Sequence, residues 1–140
     1  MQYTSMFKEL FREQIPELSE HFENEGIPDQ LWIQKWFMSF FLYSFPLGLC
    51  IRIWDNLLSY GTRFLFNVSL SILFLLKDQL LELDFEKINE FFTILKDDER
   101  QEHKYLPPFE DIIEQAQEID IPHERFKELF NKFKPVPKEP

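Results

Sequence analysis

Apolar residues recur every three or four positions along most of this chain, a period that predicts one helix after another. Tyr3, Phe7, Leu10 and Phe11 fall on one face of a first amphipathic helix. Pro16 opens a second, PELSEHFENEG, with Leu18 and Phe22 inward and Gly26 as its stop. A third starts at Pro28-Asp29 and carries Trp32, Trp36, Phe37, Phe40 and Phe41. Ser44-Phe45-Pro46 should break it, because proline disfavours helical geometry in the residue before it. A fourth is expected from about Pro46 to Tyr60 with Gly61 as its left-handed cap, and a fifth from about Arg63 to Leu81 with Thr62 as N-cap.

Asp84 is a good N-cap for a sixth helix, striped by Phe85, Ile88, Phe91, Phe92 and Leu95. KDDERQEHKYLPP, residues 96–108, has no periodicity and reads as a polar linker. Two further amphipathic helices fill 109–133. Phe109, Ile112, Ile113, Ala116 and Ile119 line the first, whose opening turn holds Glu110 and Asp111, where the helix dipole favours negative charge. Phe126, Leu129, Phe130 and Phe133 line the second, and 134–140, KPVPKEP, is a loose tail. No segment alternates apolar and polar over a strand's length. The expected fold is therefore all-α, an irregular multi-helix bundle of about eight helices.

Composition narrows the partners. At 140 residues and 44% hydrophobic, with 17 phenylalanines, the chain can build one domain with a substantial core. A net charge of −10 disfavours nucleic acid and anionic membrane surfaces and leaves basic or mixed protein surfaces. Cys50 is alone, so no disulfide forms within the chain, which suits a reducing compartment. Two uncharged runs, Trp36 to Ile51 and Phe64 to Leu76, raise the alternative of a membrane hairpin. Both are shorter than the roughly 20 apolar residues a span needs. Ser39, Ser44, Pro46 and Gly48 interrupt the first, and Asn67, Ser69 and Ser71 the second. Core helices are the better expectation, with no transmembrane segment.

Candidate chemistry is sparse. His21, His103 and His123 are far apart and have no ligand spacing with one another or with Cys50, so no metal site is expected. Cys50 lies among apolar residues with no nucleophile signature and reads as a buried small hydrophobe. Gly26, Gly48 and Gly61 are isolated, so no loop cradles a phosphate and no cofactor is implied. The acidic groups Glu82/Asp84/Glu86 and Asp97/Asp98/Glu99 read as solvated faces.

RIWDNLLSYGTRFLF, residues 52–66, stands apart by placing an aspartate beside a tryptophan in an apolar run. A buried Asp55 would need a partner, either Arg52 on the same face or Arg63 across the Gly61 turn. With no second reactive group at helical spacing, Asp55 reads as a structural residue fixing a corner rather than an acid or base. A fully buried Trp54 would make Trp54→Ala cost about 3–5 kcal/mol.

This stretch and its flanks resemble the later part of the TBC domain, the all-helical domain of Rab GTPase-activating proteins. The family pattern has a tryptophan, apolar residues and a phenylalanine before a proline-containing break. An Arg-Ile-Trp-Asp follows, then a glycine six residues after the aspartate and an apolar helix. Here those positions are Trp36, Phe37, Phe41, Pro46, Arg52, Ile53, Trp54, Asp55 and Gly61, followed by Phe64, Leu65 and Phe66. The resemblance covers roughly residues 10 to 95, so residues 1–95 read as the C-terminal half of such a domain. One departure is Asn67, where many family members carry a basic residue; it bears on a surface contact, not on the fold.

The resemblance implies an arginine from an Asp-x-x-Arg motif and a glutamine from a Gln-Gly motif, both in the earlier half of the domain, as the groups inserted to hydrolyse GTP. None of Arg12, Arg52, Arg63, Arg100 and Arg125 has the required aspartate three residues before it in a matching context, and no glutamine precedes a glycine. No catalytic residue is therefore assigned, and this chain alone is expected to be inactive. The complete protein would act on a Rab-type small GTPase in the cytoplasm, visiting membranes in vesicle trafficking through that partner. The alternative is a non-catalytic helical module that binds a GTPase or another protein. Without the earlier half, uncovered apolar surface could lead the chain to self-associate.

Overall fold

Eight α-helices and two short 3-10 turns make up the described residues, 2–97 and 106–134, of the computed structural model, with no strand among them. The helices are α1 (Gln2–Gln14), α2 (Pro16–Asn24), α3 (Ile33–Met38), α4 (Leu47–Tyr60), α5 (Arg63–Leu81), α6 (Phe85–Ile94), α7 (Phe109–Glu118) and α8 (His123–Lys132). The 3-10 turns, Asp29–Leu31 and Leu95–Asp97, precede α3 and follow α6. Residues 98–105 of the expected linker, with His103, and 135–140 of the expected tail lie outside the described residues.

α5 is the spine. From Phe64 to Leu73 almost every residue is buried, including Ser69 and Ser71, which is how a helix surrounded by others must read. α1, α2, α4 and α7 all pack on it. Among the described residues it is the one helix long and apolar enough to cross a bilayer, and 61% of its most apolar window is buried inside the protein. The other apolar run is divided between α3 and α4.

The phenylalanines and tryptophans condense into one cluster between α1, α2, α3 and α6. Trp32 packs edge-on against Phe22 at 5.1 Å and Trp36 at 5.3 Å, and Trp36 against Phe45 at 4.8 Å and Phe92 at 5.7 Å. Phe66 of α5 reaches the same cluster through Phe37 at 5.5 Å. Edge-to-face pairs gain something beyond area burial, because the ring edge is positive and the face negative.

Several helix ends follow their signals. Pro16 occupies the first turn of α2, and Gly26 adopts φ +69° just beyond its end. Asp84 caps α6, its Oδ1 accepting from the Lys87 N–H at 3.0 Å. Others differ. Thr62 is already helical in backbone and makes no side-chain cap. Gly61 does not take the left-handed helical conformation. Its φ of +77° comes with an extended ψ of −174°, a region essentially restricted to glycine. Phe85 and Phe130, expected on buried stripes, are more than a third exposed.

The largest difference lies at the end of α3, which stops at Met38. Phe40 and Phe41 take φ +49° and +70°. The Phe41 N–H donates to the Trp36 carbonyl at 2.8 Å, a Schellman-type closure. This geometry normally selects glycine or asparagine, and bulky residues pay about 1–2 kcal/mol for it. Compensation comes from burial: Phe41 is fully enclosed between Trp36 at 6.0 Å and Phe45 at 5.6 Å.

α7 and α8 pack on the body formed by the earlier helices. α8 is held by buried Leu129, by Phe126 against Phe66 at 5.3 Å, and by a charged clasp to α1. Lys132 Nζ donates to Glu9 Oε1 at 2.7 Å, and Arg125 pairs with Glu9, Glu13 and Glu128. The hydrogen bond from Lys132, helped by the charges of Lys132 and Arg12, holds the Glu9 carboxyl below its ordinary range although burial opposes this. A depressed carboxyl favours the docked state above its unfolded pKa and loses that contribution as pH falls through the folded pKa. The amide protection factors of α8 are therefore expected to stay high at neutral pH and to fall selectively below about pH 4. Equal loosening of α5 and α8 would show that the clasp does not hold α8.

Candidate functional site

The motif residues run from the corner between α3 and α4 along α4 to Gly61, just past its C-terminal end, and lie in two distinct environments. Trp36, Phe37 and Phe41 point into the aromatic core and are buried. Pro46 is buried at the start of α4, its carbonyl accepting from the N–H groups of Leu49 and Cys50, both at 3.1 Å. The fixed proline φ suits this boundary, and the missing N–H costs nothing where no helical partner exists.

Arg52, Trp54 and Asp55 lie on the outer half of α4. Arg52 is half-buried, donates from Nη1 to the Gly48 carbonyl at 2.9 Å, and sets its guanidinium 5.6 Å from the Phe109 ring centre. Gly48 is part of the same contact, since a Cβ there would come within 3.3 Å of the Phe109 ring. Trp54 is half-buried rather than enclosed, and its indole Nε1 donates to the Phe40 carbonyl at 2.9 Å. That bond ties the unusual 40–41 backbone to α4.

Asp55 corrects an expectation. It is exposed, and no ion pair joins it to Arg52 or Arg63 among the described residues. Arg52 is engaged as described, and Arg63 donates to the Ile121 carbonyl with its guanidinium 5.2 Å from the Phe126 ring. Exposure removes the need for a partner, because water solvates the carboxylate. Asp55→Ala is expected to change stability by no more than about 0.5 kcal/mol. A chemical denaturation curve shifted well beyond that would restore a corner-fixing role.

Asn67 also sits elsewhere than expected. It is not a surface contact: its Nδ2 donates to the carbonyls of Ala116 at 3.2 Å and Ile119 at 3.1 Å, at the C-terminal end of α7. Ser71 donates to the Ile112 carbonyl at 2.8 Å. Arg63, Asn67 and Ser71 are spaced by four, so one face of α5 carries a ladder of donors to the main chain of residues 112–121. Nothing in the apolar period of α5 marks these residues as a lock; their polarity inside an apolar helix is the signal.

Neither Cys50 nor His21 is prepared for bond-making chemistry. Cys50 is buried, its thiol directed at the carbonyls of Phe41 at 3.3 Å and Phe45 at 3.6 Å, and burial pushes its pKa up to about 11. A thiol so raised is inert. His21 donates to the Leu83 carbonyl at 2.7 Å and helps join α2 to the turn before α6. Among the described residues no three His, Cys, Asp or Glu side chains group as metal ligands.

What the corner does present is apolar surface. Met38, Phe40, Leu42 and Tyr43 in the corner, and Leu47, Ile51 and Leu58 along α4, are all substantially exposed.

A family model described as the Rab-GTPase-TBC domain matches residues 1–81. TBC1 domain family member 12 of Xenopus tropicalis is 36% identical over 98 residues, 70% of this chain and 14% of that protein. TBC1 domain family member 14 of Homo sapiens is 34% identical over 96 residues, 69% of this chain and 14% of its own length. Rab GTPase-activating protein tbc-11 of Caenorhabditis elegans is 38% identical over 85 residues, 61% of this chain and 9% of its own. The match spans about one seventh of the length of the first two of these curated relatives.

Proposed function

The chain belongs to the Rab-GTPase-TBC domain family, and from that premise we propose that it is the supporting, C-terminal part of a domain whose complete form stimulates GTP hydrolysis by a Rab GTPase. The observation that carries this reading is where the motif residues go. Trp36, Phe37 and Phe41 fill the core, Arg52 holds Gly48 and Phe109, and Trp54 holds Phe40. Apart from exposed Asp55, these motif residues are occupied within the fold, which supports a scaffold role.

Stimulating hydrolysis needs a cation against the charge that develops between the phosphates and a group that orients the attacking water. A supplied arginine finger is worth about 10³–10⁵ in rate. Among the described residues Arg12 pairs with Glu9, and Arg52, Arg63 and Arg125 are engaged by carbonyls, rings or carboxylates of this chain. Residues 1–140 therefore brace the part of the domain that carries the fingers and do not accelerate hydrolysis alone. In the cell this reading puts the protein in the cytoplasm, drawn to membranes by its GTPase.

Exchange into a relative tests the scaffold role. In tbc-11, the matched 85-residue stretch is replaced by the aligned residues of this chain, and Rab GTP hydrolysis is followed in single turnover. The chimera is expected to keep most of the parent's stimulation. A folded chimera that still binds Rab without stimulating it would instead favour a non-catalytic binding module.

A further inference from the structure

We propose that the outer face of α4, with the corner before it, seats an amphipathic helix of another polypeptide segment, apolar at three- and four-residue intervals and flanked by basic side chains. Leu47, Ile51, Trp54 and Leu58 follow one another at intervals of four, three and four, the spacing of a helix-packing seam. Yet this seam faces outward, with Leu58 89% exposed. The corner adds Met38 and Tyr43, 64% and 72% exposed, and the Trp54–Phe40 hydrogen bond joins it to the seam. Together these side chains expose on the order of 700 Å². That approaches the roughly 800 Å² each partner contributes to a stable interface.

Charge selects the occupant. No charged residue lies between Trp36 and Ile51. Beside the seam, Asp55, Glu110 and Glu114 share a groove of about 290 Å³ with Arg52, whose guanidinium is held by Gly48 and Phe109. Negative charge is thus offered on the Asp55 side of α4, whereas at the corner Lys35 lines a groove with Met38 and Tyr43 and Lys96 lies 5.8 Å from the Tyr43 ring centre. A second copy would bring two chains of net charge −10 together with two such flanks. A helix with basic flanks meets both the apolar seam and the acid beside it. Its assignment to the finger-bearing part of a TBC domain rests on the proposed function; the docking chemistry does not.

The test uses the 140-residue chain and a synthetic helical peptide with leucines at the same spacing and lysine flanks, read by fluorescence anisotropy. A second peptide carries glutamate flanks. The lysine peptide is expected to bind, with at least tenfold weaker binding when its flanks are glutamate and at least tenfold weaker binding to the Leu58→Glu chain. Leu58 is exposed, so that variant should fold, as circular dichroism will report. General attraction to an acidic chain would instead strengthen in Leu58→Glu, which would overturn the proposal. So would equal binding of the two peptides, no binding, or self-association of the chain that Leu58→Glu abolishes. None of these readouts involves GTP, so a failure here is separable from a failure of the proposed activity.

Discussion

Trp36→Ala is expected to cost about 3–5 kcal/mol of stability. Its side chain is only 1% exposed and touches Trp32, Phe41, Phe45 and Phe92, so it joins α3, the α3–α4 corner and α6 at one point. Truncation removes the transfer energy of the ring and leaves a void. Its neighbours cannot fill that void, because Phe41 is fixed in a left-handed backbone and Phe45 precedes a proline. A domain of this size has about 5–15 kcal/mol in total, so the variant should unfold at markedly lower denaturant. Trp54→Ala is the contrast. The two tryptophans look alike in sequence, but Trp54 is half-buried and loses part of its ring contact and one hydrogen bond. A cost of about 1–2 kcal/mol follows. Equal urea midpoints for the two variants would refute this division of the motif into core and surface parts.

Asn67→Ala is expected to cost about 1–3 kcal/mol, and the loss should be local. Two carbonyls at the end of α7 lose their donor at half-buried Asn67, beside a groove of about 190 Å³. Amide exchange should therefore accelerate in α7 well before α5. Asn67→Asp should be worse than alanine. A carboxylate can only accept, and it would face carbonyl oxygens at the negative end of the α7 dipole. Asn67→Lys should be milder, since an ammonium can donate to the same carbonyls, as the basic residue expected of many family members could. An aspartate variant as protected as the parent would mean that Asn67 does not lock α7.

These contrasts show what could be read from residue order. α5 was legible to its ends because the apolar run is bounded by Gly61 on one side and by Glu82 on the other. The Asp84 cap and the Pro16–Gly26 bounds of α2 were legible because their signals act locally. The end of α3 was hidden: Phe40 and Phe41 carry no local sign of a left-handed turn, and only the enclosing aromatics make that turn tolerable. Asp55 misled for a related reason. An apolar stripe on α4 looks like core whether or not another surface covers it, so an aspartate within it looked buried. The donors Asn67 and Ser71 were visible as polar interruptions, but their partners lie more than forty residues away in α7, a distance that periodicity does not cross.

The most direct measurement of the central claim is single-turnover GTP hydrolysis by a panel of Rab GTPases with residues 1–140 added in excess. The account predicts the intrinsic rate throughout, because this chain supplies the frame and neither finger. Acceleration approaching the roughly 10³–10⁵ of an inserted arginine, lost on replacing any one of Arg12, Arg52, Arg63, Arg100 and Arg125 by alanine, would contradict it and place the chemistry within this chain.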